Sequence, residues 1–351
     1  MTDRQLWLQL QRQAAQMEPE LGRALLAAYD ELRRMLPERE LERLIREARL
    51  DLLLSEHLTD EQVREAAARL RAELQNTLRA SMEQTLRTMP SRLRPSTIFD
   101  VLNPRIIEAV RTLENRALTR LAPAARETFR EAVQAGLEAG SNPRAIAREA
   151  TEAIGLAPRN AAAVRAFRAE LEAGDRAALA RALEKGALRA SDGSTIRRPS
   201  HAGGHGLTAT EVALLERKLG REPLTPGQID GLVRAYERRL RAWEAESSAR
   251  SATLDALRMA NRLNWEQAIS EGLVDRALLM KRRIVLEDGR ERPEHRALRG
   301  QMVHFDAPYA NGEIVSGDSS YNCRCRDRYV VVASVEEVVR LTLETAPEFR
   351  M

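Results

Sequence analysis

The chain has little cysteine, lysine or aromatic content and no long apolar run, and each shortage excludes something. Its two cysteines, Cys323 and Cys325, are one residue apart. That is too close for an ordinary disulfide, which rules out a secreted disulfide scaffold. The N-terminus, Met1-Thr2-Asp3-Arg4-Gln5, lacks the apolar segment of a secretory leader. No stretch of about 18 apolar residues occurs, so no membrane segment is expected. Synthesis in a reducing cytoplasm follows as the expectation. Aromatic residues make up 4% of the chain and charged residues 31%, a balance suited to long solvated helices rather than one large core. Lysine occurs only at Lys185, Lys218 and Lys281, so nearly all positive charge is arginine. The net charge of +4 is too small to mark a nucleic-acid binder. Arginines interleaved with glutamates at i,i+4 spacing read as solvated helix faces. Because the guanidinium fork also matches phosphate oxygens, phosphate contact is the sharper reading.

What is present is mostly helical punctuation. Leu21, Leu25, Leu26 and Tyr29 recur at three- and four-residue spacing, as one face of a helix requires. Thr59 with Gln62 forms a capping box, and the uninterrupted run to Met89 predicts one helix of up to about 30 residues. Pro90, Pro95 and Pro104 then mark a boundary. Gly140-Ser141-Asn142-Pro143 reads as a stop and restart, with Asn142 as cap and Pro143 in the first turn. Gly155 and Pro158 make a further break. Thr208 with Glu211, and Thr225-Pro226 with Gln228, are two more helix starts. The stripe Ile229, Leu232, Val233, Tyr236, Leu240 and Trp243 calls for a partner helix, with a kink expected near Ser247-Ser248.

Residues 191 to 206 are rich in glycine and serine and read as a flexible loop or linker. His201 and His205 lie there at i,i+4, but the glycines around them leave no helix to hold the pair, so they are read as loop residues. After Asp275 the texture changes. Ile284-Val285-Leu286, Met302-Val303 and Tyr329 to Val332 read as short strands, and Ser334 with Glu337 starts a last helix. The fold class predicted is mainly α: a long helical body with a small α+β C-terminal module. Segments follow at 1–95, 96–190, 191–206, 207–280 and 281–351.

The stretch from Asp288 to Cys325 carries the chemistry. It runs through Arg292, His295 and Leu298-Arg299-Gly300, and closes on Asn322-Cys323-Arg324-Cys325. In order and spacing this resembles the signature of Mu F-like head-morphogenesis proteins of tailed bacteriophages. The preceding helix, with Arg250, Ala252-Thr253, Ala260-Asn261 and Trp265, is similar to the helix that feeds this module in the family. The likeness covers residues 225 to 332; the first 200 residues resemble nothing recognisable. It implies a structural minor head protein acting in procapsid morphogenesis at or near the portal, with a role in DNA packaging or ejection. Implied partners are the portal, major capsid or scaffold protein, and packaged DNA. The implied location is the virion head, after assembly in the host cytoplasm. An ejected, DNA-contacting internal virion protein is the alternative within the same class.

Two thiolates and an imidazole are a candidate Zn²⁺ set: His295, Cys323 and Cys325. Many relatives carry a cysteine pair in the region of Arg292 to His295. Arg292 stands at the first of those positions and cannot ligate, which leaves His304, Asp288 or water as fourth donor. Without metal, the cysteines would pack as small buried residues and His295 would hydrogen-bond a loop carbonyl. A three-ligand zinc with Glu294 or Asp288 as base would make a hydrolase or transferase. No serine triad, phosphate loop or HExxH helix accompanies it, so a non-enzymatic role is expected.

Overall fold

The computed structural model describes residues 2–49, 52, 55–56, 58–96, 102–174, 188–189, 195–196, 224–285, 291–318 and 320–345. It is mainly helical: among the described residues there are ten α-helices and a small three-stranded antiparallel sheet in the C-terminal region, as the composition and periodicity predict. The helices are α1 (Asp3–Met35), α2 (Glu38–Arg46), α3 (Asp60–Ala66), α4 (Ala68–Thr88), α5 (Pro104–Glu138), α6 (Pro143–Ala153), α7 (Pro158–Ala173), α8 (Pro226–Ser270), α9 (Pro293–Ala297) and α10 (Val335–Thr345). The strands are β1 (Leu188–Arg189), β2 (Thr195–Ile196), β3 (Leu279–Ile284), β4 (Met302–His304) and β5 (Arg326–Val331).

Residues cluster into two compact units. The first takes Met1–Leu21, Leu70–Ala117 and Ser247–Met351; the second takes Gly22–Arg69 and Leu118–Glu246. These are discontinuous in sequence, unlike the five consecutive segments read from punctuation. The reason is that α1, α5 and α8 each supply residues to both units, and prolines mark helix ends rather than compact bodies.

Local signals hold where a cap decides them. Thr59 accepts from the Gln62 N–H, and the Gln62 side chain answers the Thr59 N–H, closing the capping box. Asn142 caps α6 through the Arg144 N–H, with Pro143 in the first turn. The single helix expected from Thr59 to Met89 is instead two, because the chain breaks at Ala67 between α3 and α4. No proline or glycine announces that break. Helix α8 is continuous from Pro226 to Ser270, through Ser247-Ser248. The first C-terminal strand begins earlier than read: Leu279–Ile284 rather than Ile284 to Leu286. Of the 191–206 segment, Thr195–Ile196 pairs antiparallel with Leu188–Arg189; its remaining residues, His201 and His205 among them, lie outside the described residues, as does the Thr208 start.

In the first unit, β3 is the middle strand of the order β4-β3-β5, antiparallel to both neighbours. One face buries Leu279 with Phe305 and Tyr329 against Trp265 and Ala268 of α8. The other buries Met280 and Val332 against Val338 of α10. Through this unit α8 is buried on nearly every side rather than along one stripe. Leu254 and Leu257 meet Ala14 and Met17 of α1, while polar residues do the rest. Asn264 donates to the Met82 carbonyl and Thr85 Oγ1 of α4, both at 2.8 Å.

Both sheet edges are met by side chains. Along the outer side of β5, the Asp327 carbonyl accepts from Asn261, and just upstream the Cys325 and Cys323 carbonyls accept from Arg258. Alternate carbonyls along a strand face the same way, and residues three apart on a helix lie one above the other, so two α8 side chains serve all three. On the outer side of β4, Thr345 Oγ1 accepts from the Met302 N–H at 2.8 Å and donates to its carbonyl at 3.2 Å.

Candidate metal centre

The centre is built from α9, the loop that follows β4, and the start of β5, all within the first unit. Arg292 caps the backbone entry to α9, and its side chain donates to the Tyr321 carbonyl at 2.8 Å. Arg292 therefore ties α9 to the cysteine loop. Pro293 fixes the first turn, so His295 points inward and is buried. After α9, Gly300 takes φ +75°, a left-handed conformation, and its N–H returns to the Arg283 carbonyl of β3.

Asn322 also sits at positive φ, 54°, which asparagine tolerates better than most residues. Its backbone N–H donates to Ser251 Oγ and its side-chain amide to Ser247 Oγ at 2.8 Å, anchoring the cysteine loop on α8. Arg258 completes the anchor: its guanidinium holds the Cys323 and Cys325 carbonyls and pairs with Asp255 at 2.7 Å, both side chains 3% exposed.

His295 Nδ1 lies 3.3 Å from the sulfur of Cys323 and 3.3 Å from that of Cys325. All three potential ligand atoms fall within 4.8 Å of one another, and all three residues are buried. A tetrahedral ion with Zn–S of about 2.3 Å and Zn–N of about 2.0–2.1 Å spaces nitrogen and sulfur ligands by about 3.6 Å. The spacing here fits such a set within a few tenths of an ångström. Nε2 of His295 lies 3.1 Å from Ser320 Oγ. A proton on Nε2 donated there leaves the Nδ1 lone pair facing the sulfurs, the outer contact that a ligating histidine needs. The group can hold a metal ion.

The electrostatics favour negative sulfur. Cys323 is pushed down, first by a hydrogen bond from the Cys325 thiol and then by the Arg258 guanidinium, against the effect of burial. Cys325 is raised, because its proton bridges to Cys323 and burial opposes a second charge. Arg283, 1% exposed, pairs with Glu313 at 2.5 Å through Nη1, while its Nε and Nη2 find no hydrogen-bond partner among the described residues. The field of both cysteines raises its affinity for the proton, so this buried cation has charge to balance on the sulfur side.

Two expectations change. His304 is not a fourth ligand: its Nε2 lies 2.9 Å from the Arg276 carbonyl, and its Nδ1 accepts from the Asp306 N–H. Its strand places it on the outer side of β4, away from the cysteine loop. Without metal, His295 meets a serine hydroxyl and two sulfurs rather than a loop carbonyl. Asp288 lies outside the described residues. Glu291, passed over in the sequence, lines the cavity of about 110 Å³ shared by His295, Cys323 and Cys325. Arg258, Ser320 and Gly317 were missed as well. Only Arg258 left a trace, being three residues before Asn261 on the helix the motif already implicated. Against known proteins, the chain matches no family model, no curated protein and no solved structure.

Proposed function

We propose that this chain is a structural minor head protein of a tailed bacteriophage, acting in procapsid assembly at or near the portal, and that its C-terminal module is stapled by Zn²⁺ rather than catalytic. The convergence of His295, Cys323 and Cys325 carries the reading: three residues of the Mu F-like motif, separated by a long loop, bring their ligand atoms within 4.8 Å. Two sulfurs and one imidazole suit a borderline-soft ion such as zinc. The fourth donor is Asp288, Glu291 or water. Closing that loop costs chain entropy, which a metal offsets, and a small module gains most from it.

A fold-holding role is supported by the burial of all three side chains and by the small cavity beside them, which leaves room for little beyond an ion and water. The buried, hydrogen-bonded faces of α8 support a helical body specialised for packing. The virion and its partners, portal and capsid or scaffold protein, rest on the motif alone.

Two measurements test this. Elemental analysis of protein purified without chelator should find about one zinc per chain. Co-purification from infected cells should recover portal or capsid protein. Absence from both procapsids and virions would refute the head-protein reading, and absence of metal would refute the staple.

A further inference from the structure

The second unit holds a partly open cavity of about 270 Å³ lined by residues of α5, α6, α7 and α8. A water occupies about 30 Å³, so this space is far larger than one solvent molecule. One wall is made of Ala132, Ala135, Gly136 and Ala139 of α5, residues whose spacing puts them on one helix face. Small side chains there leave an apolar channel beside α7. Val233 and Glu237 of α8, one turn apart, line it as well.

Glu237 is 8% exposed and makes no hydrogen bond or ion pair among the described residues. The guanidiniums whose fields reach it are engaged elsewhere. Arg241 donates to the Ile154 and Glu152 carbonyls, Arg168 pairs with Asp230 at 2.8 Å, and Arg33 pairs with Asp30. A buried carboxylate without a partner is costly, and proteins retain few of them without reason. Around the cavity Glu149, Glu152 and Glu172 join Glu237, against Arg165 and Arg168, so its lining is net acidic.

We propose that this cavity binds a small alkyldiammonium cation, one ammonium on Glu237 and the methylene chain along the alanine wall. This goes beyond the head-protein reading and does not depend on it. An ammonium donates three hydrogen bonds to carboxylates, and an alkyl chain of about four carbons covers apolar surface that water serves poorly. Burial and the neighbouring Glu152 push the Glu237 carboxyl up to about 7, against the fields of Arg241, Arg168 and Arg33.

Titration calorimetry on the full-length protein tests it, with 1,4-diaminobutane as probe and 1,4-butanediol as its neutral isostere. The diamine should bind saturably at one site per chain at pH 8, and the diol should not. Glu237→Gln should weaken the diamine at least tenfold. Ala135→Leu, which fills the channel, should abolish binding. Affinity should fall toward tenfold per pH unit below about 7, as Glu237 takes up its proton among Glu152, Arg168, Arg241 and Arg33. No saturable binding by the wild type, equal binding of the diol, or undiminished binding by both variants would each overturn the proposal. The wild-type comparison of diamine with diol stands even if a variant fails to fold.

Discussion

Gly317 lies against Cys323 so closely that a methyl group on it would fall 2.6 Å from the cysteine sulfur. The same glycine has φ +81° and donates its N–H to Glu313 Oε2 at 2.9 Å. The backbone of this loop thus forms one wall of the candidate metal centre. Gly317→Ala should strain the backbone and displace Cys323. A left-handed alanine costs about 1–2 kcal/mol and overpacking about 1–3 kcal/mol. Thermal unfolding should show a loss of about 3 kcal/mol, with zinc content falling in parallel.

Replacing Cys323 and Cys325 together with serine should unfold residues 281 to 333 locally and leave the helical body intact. Hydrogen exchange would show lost protection in β3 and β5 beside unchanged protection in α4 and α6. A double variant that keeps protection throughout, and assembles like wild type, would sink both the zinc staple and the buried-cluster alternative.

Arg258 binds two loop carbonyls and the Asp255 carboxylate, all buried. Arg258→Met removes the buried cation that pairs with that carboxylate, and breaking such a pair costs about 3–5 kcal/mol. Adding Asp255→Asn should recover part of the loss. Denaturant unfolding of the two single variants and the double variant gives the coupling directly. Additive losses would mean that the pair does not act as a unit.

The Glu237 carboxyl titrates at about 7, above its ordinary 4.5, because burial and Glu152 disfavour its charge. The native state therefore holds a proton that the unfolded state has released across that window. Its contribution is fully present below about pH 4.5 and is lost as pH rises through about 7. The loss approaches about 3 kcal/mol. Glu237→Gln should be more stable than wild type at pH 8 and nearly equal to it at pH 4.5, in urea titrations without added amine. A difference independent of pH would show that folding leaves the Glu237 carboxyl at its ordinary value.

Much of this fold is written in its punctuation. Thr59, Asn142 and Pro143 announce their helix ends because capping is a local matter of a few hydrogen bonds. Ala67 announces nothing, since alanine is the residue most at home in a helix and neither proline nor glycine stands there to refuse it. The β3 strand was read too late in the sequence because its core positions include Lys281 and Arg283, both fully or almost fully buried. Lys281 donates to the Phe305 and Ile314 carbonyls, so its burial depends on partners far along the chain. His295 and the two cysteines were legible as a set because metal-ligand chemistry uses few residue types. Gly317 and Ser320, which shape and orient that set, are ordinary loop residues until the loop is folded.

The side chains along the outer sides of β4 and β5 bear on how this protein can be crowded. A three-stranded sheet normally offers two rows of unpaired backbone groups, each a template for a strand from another copy. Here Thr345 occupies Met302 on one border, and Arg258 and Asn261 occupy the carbonyls on the other. At those positions an incoming strand from another copy finds the backbone already taken. Recognition by another protein would then have to proceed through side-chain surfaces, where sequence can specify the partner.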